Sequence, residues 1–435
     1  MPGGHAIQSS GGIFIAGSDL QLKLGIQDSP DLAFKDWVRY GQDPDLDWAR
    51  FYVDSSVKDV YLWLQSLGVR FSSLMHVAAD GNTHPRHHVA EGSGRGLIVP
   101  LLKALFANKN IEFRRSVFID HLMMQNGAVA GVKGREVRTG REIEFSARAI
   151  VIATGGFASN LKMVEENWPD SLPRPRRMLG GSGVNSLGSG HRMVAEAGGQ
   201  LTRMDRLWIY PTGTVNPFDP NPERGIQVHS SPLWVNNMGE PVRLTAPGTS
   251  ALLASVLALD GQSFWSVFDV DSKESISVIG SDWQVNREEK YRTLFANPEI
   301  VKSADSIDQL AALIGVNASS LTQSINAYNL RALVKIEHPP FYAIKHYPLV
   351  RKTMGGIRTN LRSQVLNSES RAIEGLYAAG EAAGFGGGNI NGKKALEGTF
   401  LGPCVLTGRV AGRYAAAEAL RSNAKVSNRP GNHAQ

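Results

Sequence analysis

Between Leu32 and Leu67 the large apolar residues fall at helical intervals: Trp37, Tyr40, Trp48, Phe51, Tyr52, Val60, Trp63 and Leu64. This spacing predicts helix with the aromatics facing a core, and Gly68 supplies the C-terminal stop. A second helix is expected over Val99–Phe106, followed by a strand at Glu112-Phe113-Arg114 and a hairpin turning at Gln125-Asn126-Gly127. The unbroken apolar run Ala149-Ile150-Val151-Ile152-Ala153 ends in Thr154-Gly155-Gly156. Such a run reads as a strand buried on both faces, which implies a parallel or mixed sheet.

From about Trp208 to Pro339 the texture changes to short apolar segments, turns and scattered aromatics, among them Trp234, Phe264, Trp265, Phe268 and Trp283. This stretch reads as a separate lid-like unit whose aromatics are mostly core. Strand-and-glycine texture returns at Ala378-Ala379-Gly380-Glu381, and a helix is expected over Val405–Leu420. The organisation expected is α/β (α+β): a binding unit in two parts, 1–207 and 341–422, a capping unit at 208–340, and a polar tail at 423–435.

Length and composition narrow the class. At 435 residues, with roughly 100–200 residues per domain, two or three packed units are expected. Apolar residues at 42% and charged residues at 20% are globular values. The net charge of +6 is spread along the chain, which argues against a nucleic-acid stripe. Arg174, Arg176 and Arg177 form the densest basic patch, read as a solvated loop, with an anion-docking patch as the alternative. A single cysteine, Cys404, rules out an intramolecular disulfide framework and a multi-cysteine metal site, and fits a reducing compartment. No run approaches the roughly 20 apolar residues of a membrane span, and no signal-peptide profile opens the chain, so a soluble cytoplasmic protein is expected.

Three glycine-rich turns carry the chemistry: Gly11-Gly12, Thr154-Gly155-Gly156, and Gly384 through Gly388. Without a Cβ the backbone can be approached closely, and its N–H groups are free to donate to a cofactor. One such turn is weak, but three in this order are specific. Glu381, at a strand end, can accept from ribityl hydroxyls. Ala395-Leu396-Glu397-Gly398-Thr399 opens toward a helix whose positive N-terminus suits the N1–C2=O edge of a flavin.

Gly375-Leu376-Tyr377-Ala378-Ala379-Gly380-Glu381 resembles the FAD-binding signature of the superfamily of succinate dehydrogenase, fumarate reductase and 3-ketosteroid Δ1-dehydrogenase. Ser10-Gly11-Gly12-Ile13, Ala153-Thr154-Gly155-Gly156-Phe157, Gly188-Ser189-Gly190-His191 and Lys352-Thr353-Met354-Gly355-Gly356 agree with it. The resemblance implies an FAD-binding Rossmann-like domain with an inserted α+β capping domain. The FAD contacts it implies are Gly3, Gly4, His5, Ser10, Gly11, Gly12, Val117, Ala153, Thr154, Gly155, Gly156, Gly380, Glu381, Leu396 and Thr399. His5 stands before Gly11-Gly12-Ile13 at the spacing of the histidine that succinate dehydrogenases bond covalently to FAD.

Within the superfamily, Pro339-Pro340-Phe341-Tyr342-Ala343 and Ala395 through Gly402 look most like the ketosteroid-dehydrogenase-like branch. Lys352 stands where fumarate reductases carry a histidine, Ile390 where they carry an arginine, and Arg243 is displaced from their lid arginine. Fewer bidentate clamps for a dicarboxylate imply an apolar polycyclic ketone as substrate. The expected reaction is 1,2-desaturation of a 3-ketosteroid or steroid-like triterpenoid ketone: a base takes the C2 proton and hydride passes to flavin N5. The branch's Tyr-Pro-Gly turn is Ile390-Asn391-Gly392 here, so Tyr210, in Trp208-Ile209-Tyr210-Pro211, is the tyrosine expected to act. Lys352 and Arg351 are expected to polarise a carbonyl or balance reduced-flavin charge. His87 and His88 are candidates for proton transfer, no metal site is expected, and the electron acceptor is left open.

Upstream of Gly3 there is no strand, Gly-x-Gly-x-x-Gly turn and helix, the unit that binds the pyrophosphate in such domains. The sequence is therefore read as amino-terminally incomplete, with an unpaired sheet edge expected. Alternatives kept open are a fumarate-reductase-like enzyme for a small unsaturated acid and a non-catalytic, degenerate flavoprotein fold.

Overall fold

Helical spacing between 32 and 67 resolves into Pro30–Gly41, Leu46–Ser55 and, through a π turn at Ser56–Tyr61, Leu62–Ser66. The break has a local cause. Gln42 and Asp43 take positive φ, Pro44 cannot continue a helix, and Asp45 caps the next one by accepting from the Trp48 N–H at 3.0 Å. Gly68 ends the run at φ 94°. Trp37, Trp48 and Tyr52 are buried in one core with Phe14, Trp208, Phe385 and Phe400. The computed structural model describes residues 2–427 except 230–232, 244, 245 and 247.

Asn126 and Gly127 have φ of 52° and 80°, as a two-residue hairpin turn requires. They set Gln125 opposite Ala128, and the pairing runs back to Val117 opposite Glu136. Strands Val117–Gln125, Ala128–Glu136 and Glu142–Ser146 form a meander. The strand expected at 112–114 is absent, because the hairpin register gives out at Val117 and leaves those residues unpaired.

The first glycine block leads into Gly12–Phe14, an edge of a three-stranded sheet with His87–Ala90 and Phe71–Met75. The apolar run yields Ile150–Ile152, paired in parallel with Leu376–Ala378 as the reading anticipated. It is not buried on both faces, since Val151 is 37% exposed. The other edge of this strand has no partner strand among the described residues.

The helix expected from Val99 starts earlier, spanning Ser93–Ala107. Its glycine-rich start, poor in helix propensity, is required by packing: a Cβ on Gly94 would lie 2.7 Å from Ser9 Oγ and 2.8 Å from Ile7 O. The last helix, expected over 405–420, runs Leu401–Ser427. The tail expected from 423 is thus helical to Ser427, and 428–435 lie outside the described residues.

The lid is built on an eight-stranded sheet whose central strand is Phe341–Thr353. Over its first half this strand pairs with Phe264–Phe268 and Val301–Ala304, and over its second half with Leu207–Val215 and Leu179–Gly180. Residues 341–353, grouped by texture with the second binding part, therefore carry the lid sheet and deliver its end to the binding part at Thr353. Trp265, Phe264, Phe268 and Trp283 are buried in the lid. No helix of the described residues is long and apolar enough to cross a membrane.

Candidate functional site

Two of the glycine blocks meet at one carboxylate. Glu381 follows the Ala372–Ala378 strand, and its Oε1 accepts from Thr353 N–H at 2.9 Å and from Thr353 Oγ1 at 3.3 Å. A Cβ on Gly156 would overlap Thr353 Oγ1 and Glu381 Oε1 and sit 2.8 Å from Glu381 Cδ. Only glycine lets the turn after Ile150–Ile152 close over this carboxyl. Burial pushes the Glu381 pKa up to about 7, against the opposing Thr353 N–H and the Lys352 charge. Ala153 and Thr154 are exposed, and Gly155 takes φ 75°, so the backbone of this turn is open to a ligand. Gly380, at φ 66°, donates its N–H to Thr407 Oγ1 at 3.0 Å.

The first block joins the Leu396–Thr399 segment. Phe14 N–H donates to Gly398 O at 2.9 Å, and the His87 ring fills the space against both glycines: a Cβ on Gly12 would overlap it, and one on Gly398 would lie 3.0 Å from Nδ1. His87 is buried with Nδ1 unpartnered, and burial lowers its pKa. His88 is structural, with Nε2 2.7 Å from Ser18 Oγ and Nδ1 2.8 Å from Arg86 O. Of that histidine pair, only His87 faces the glycine cleft. Leu396 and Thr399 are buried, with Thr399 Oγ1 donating to Leu396 O at 2.6 Å, and the long helix begins two residues on at Leu401. Gly3 and Gly4 turn at φ 102° and 53° beside the Ser93–Ala107 helix, a Cβ on Gly3 meeting Ile98 Cγ2 at 3.0 Å. Ser10 is exposed. Val117 shares none of these contacts; it pairs with Glu136 at the end of the meander.

Where the lid sheet enters the cleft, Lys352 Nζ donates to Tyr210 OH at 3.4 Å and lies 3.8 Å from the Phe400 ring centroid. Trp208, Tyr210, Phe385 and Phe400 make a continuous aromatic wall, with neighbouring centroids 5.1–6.0 Å apart. Burial pulls the Lys352 ammonium down to about 8, with Glu397 opposing and Arg351 reinforcing the drop. Burial raises the Tyr210 phenol, and Glu397 raises it further. Arg351 Nη1 donates to Gln227 Oε1 at 2.9 Å, and Nη2 lies 3.4 Å from His5 Nε2. His5 is held neutral, its pKa lowered to about 3 by burial and then by Arg351. Neither Arg351 nor Lys352 has a carboxylate within ion-pair distance, 4.0 Å, among the described residues.

The recess is therefore more cationic than the missing dicarboxylate arginines implied. Ile390 is a core residue whose carbonyl accepts from Trp37 Nε1 at 3.0 Å, and Arg243 is exposed. Sequence reasoning passed over Glu397 as a charge, although its block was read; its field reaches Lys352, Arg351, Tyr210 and His87. Gln227 and His229 carried no motif. The one group of three metal-capable side chains among the described residues, Asp269, Asp271 and His338, lies elsewhere, and the oxygens of Asp269 already accept from three backbone N–H groups.

Exposed backbone at 153–155, a half-buried carboxyl with both protein bonds on one oxygen, and glycines that no side chain could replace fit a flavin dinucleotide. Comparison with known proteins agrees. A family described as FAD binding domain matches residues 2–401. A KsdD-like steroid dehydrogenase of Mycobacterium tuberculosis is 30% identical, over 95% of this chain and 89% of that protein. The open conformation of a flavocytochrome c3 fumarate reductase superposes with a TM-score of 0.78 at 25% identity, covering 96% of this chain and 72% of that one. A 3-ketosteroid Δ1-dehydrogenase from Sterolibacterium denitrificans shares the fold, with a TM-score of 0.75 at 18% identity over 95% and 93%.

Proposed function

This chain belongs to the FAD-binding family of flavin-dependent oxidoreductases, in the superfamily of fumarate reductases and 3-ketosteroid dehydrogenases, and from that premise we propose that it desaturates a steroid-like ketone at the bond beside the carbonyl. The observation that carries the reading is the Tyr210–Lys352 contact at 3.4 Å, set against an aromatic wall with no carboxylate in ion-pair contact among the described residues. Bound FAD would supply the hydride acceptor.

The residues divide the remaining work. Gly155, Gly156, Glu381, Leu396 and Thr399 would hold and orient the cofactor. Tyr210 donates to the ketone oxygen, and the Lys352 ammonium, donating to Tyr210, stabilises the negative charge that grows there as the neighbouring C–H bond is broken. Glu397 is the carboxylate assigned to take that proton. Trp208 and Phe400, themselves buried, pack against Tyr210 and Lys352 and keep water from that side of the pair.

The test is anaerobic mixing of holoprotein with a 3-ketosteroid, following the bleaching of oxidised flavin and then turnover with an artificial electron acceptor. Bleaching is expected with the parent protein, and Tyr210→Phe should slow it by about 10²–10³. A yellow protein that ignores ketosteroids and is reoxidised by fumarate would replace this reading with the reductase alternative.

A further inference from the structure

Arg351 is the extra residue of a β-bulge. Along the lid sheet Trp208 stands opposite Lys352 and Ile209 opposite Val350, so two residues of one strand separated by Arg351 face consecutive residues of the other. A bulge turns the intervening side chain out of the regular alternation. Room for it is built in: a Cβ on Gly181 would lie 3.0 Å from Arg351 Cγ, and a Cβ on Gly183 would lie 3.0 Å from His5 Cβ. The guanidinium is held at one corner by Gln227 Oε1 and at another by neutral His5. Gln227 is itself steadied by His229, Nε2 to Nε2 at 3.2 Å.

This ring of groups carries one positive charge. Glu397 and Asp282 act on Arg351 only beyond ion-pair contact, and the nearby Arg224 is paired with Asp219 at 3.6 Å. A guanidinium has five N–H donors, and the contacts to Gln227 and His5 use only two of its corners. An enclosed cation costs stability unless it meets an anion, and the planar fork suits a carboxylate.

We propose that Arg351, in its Gln227 and His5 cradle, is a carboxylate subsite, so that the ketone desaturated here bears an acidic group. This rests on the reading above: Lys352 and Tyr210 take the ketone, and the bulged neighbour takes a carboxylate carried at the same end of the substrate. The substrate class becomes a polycyclic keto acid rather than a neutral steroid.

The test uses FAD-loaded protein and three ligands: a 3-ketosteroid bearing a carboxylate at the ring junction beside its ketone ring, its methyl ester, and a saturated polycyclic acid with the carboxylate at the same position and no ketone. Affinity is read from the perturbation of the flavin spectrum and from thermal shift, alongside FAD content and flavin midpoint potential. The keto acid is expected to bind about 10- to 100-fold tighter than its ester. Arg351→Gln should bring that ratio to about one, and Arg351→Lys should restore part of it. Equal affinity of acid and ester, or a ratio that survives Arg351→Gln, overturns the proposal. So does an Arg351→Gln protein that loses FAD or shifts in potential while keeping the ratio, because the cation then serves the cofactor. If no ketone reduces the flavin but the saturated acid still binds in an Arg351-dependent way, the subsite stands and the desaturation reading falls. If that acid also fails to bind, both fall.

Discussion

Gly156 gives the strictest test of how the cofactor is held. Alanine adds one methyl group that would overlap Thr353 Oγ1 and Glu381 Oε1 and lie 2.8 Å from Glu381 Cδ, inside the roughly 3.5 Å at which carbon atoms attract. Glu381 must swing away and give up the Thr353 N–H bond at 2.9 Å. A hydrogen bond to a charged acceptor is worth ~1.5–3 kcal/mol, and overpacking an enclosed site costs ~1–3 kcal/mol. The two overlap, so ~2–4 kcal/mol is at stake; once Glu381 has swung away in the apoprotein, returning it to its place on binding costs that much affinity, about 30- to 1,000-fold in Kd. Titrating apoprotein with FAD and following fluorescence quenching measures it directly, and the apoprotein melting curve separates misfolding from weak binding. The Gly156→Ala, Thr353→Ala double variant removes one of the two overlapping oxygens and should recover part of the loss. A Gly156→Ala protein that binds FAD within about threefold of the parent, under ~0.7 kcal/mol, refutes the contact between these two blocks as the basis of the cradle.

Protonated Lys352 is what Tyr210 needs, so turnover should fall as pH rises through about 8; Lys352→Met should remove that limb and lower kcat by about 10²–10³, measured as a pH–rate profile. Glu381 has a folded pKa of about 7, above its ordinary 4.5, so the folded apoprotein binds this proton more tightly than the unfolded chain. Its stabilising contribution is complete below 4.5 and lost as pH rises through 7, at most on the order of 3 kcal/mol. Urea midpoints of apoprotein across that window should show the slope, and Glu381→Gln should flatten it. His5 Nε2 lies against Arg351, and on that engagement the flavin is expected to be held non-covalently; acid denaturation should release it to the supernatant, and a fluorescent protein band would show the opposite. Asp80 accepts from Thr249 N–H at 3.0 Å at the start of the lid helix Thr249–Leu257, so Asp80→Ala should cost ~0.5–2 kcal/mol in thermal unfolding.

Much of the flavin cradle was legible because its demands are local. A turn that other parts of the chain approach closely excludes a Cβ, so Gly11, Gly12 and Gly156 announce themselves in the chain, and Asn126-Gly127 fixes a hairpin by the φ it must adopt. The helices of 30–66 were readable for the same reason, since an apolar stripe has a period. The misses come from partners that the period cannot show. Residues 112–114 look like a strand but find nothing to pair with once the hairpin register is set. The Ser93–Ala107 helix was shortened by glycines that reflect packing against residues 6–9 rather than a helix break.

By itself, then, the sequence determined the cofactor class, the superfamily and the identity of the glycine turns, because each rests on residues close together in the chain. The tertiary structure decided which charges share a recess. Arg351 and Lys352 are adjacent in sequence and would ordinarily point to opposite faces of a strand. The bulge opposite Trp208 and Ile209, the space left by Gly181, and Tyr210 on the neighbouring strand turn them into one cationic seam. Strand register and a missing Cβ more than a hundred residues away set where those side chains go, and neither is written beside them in the chain.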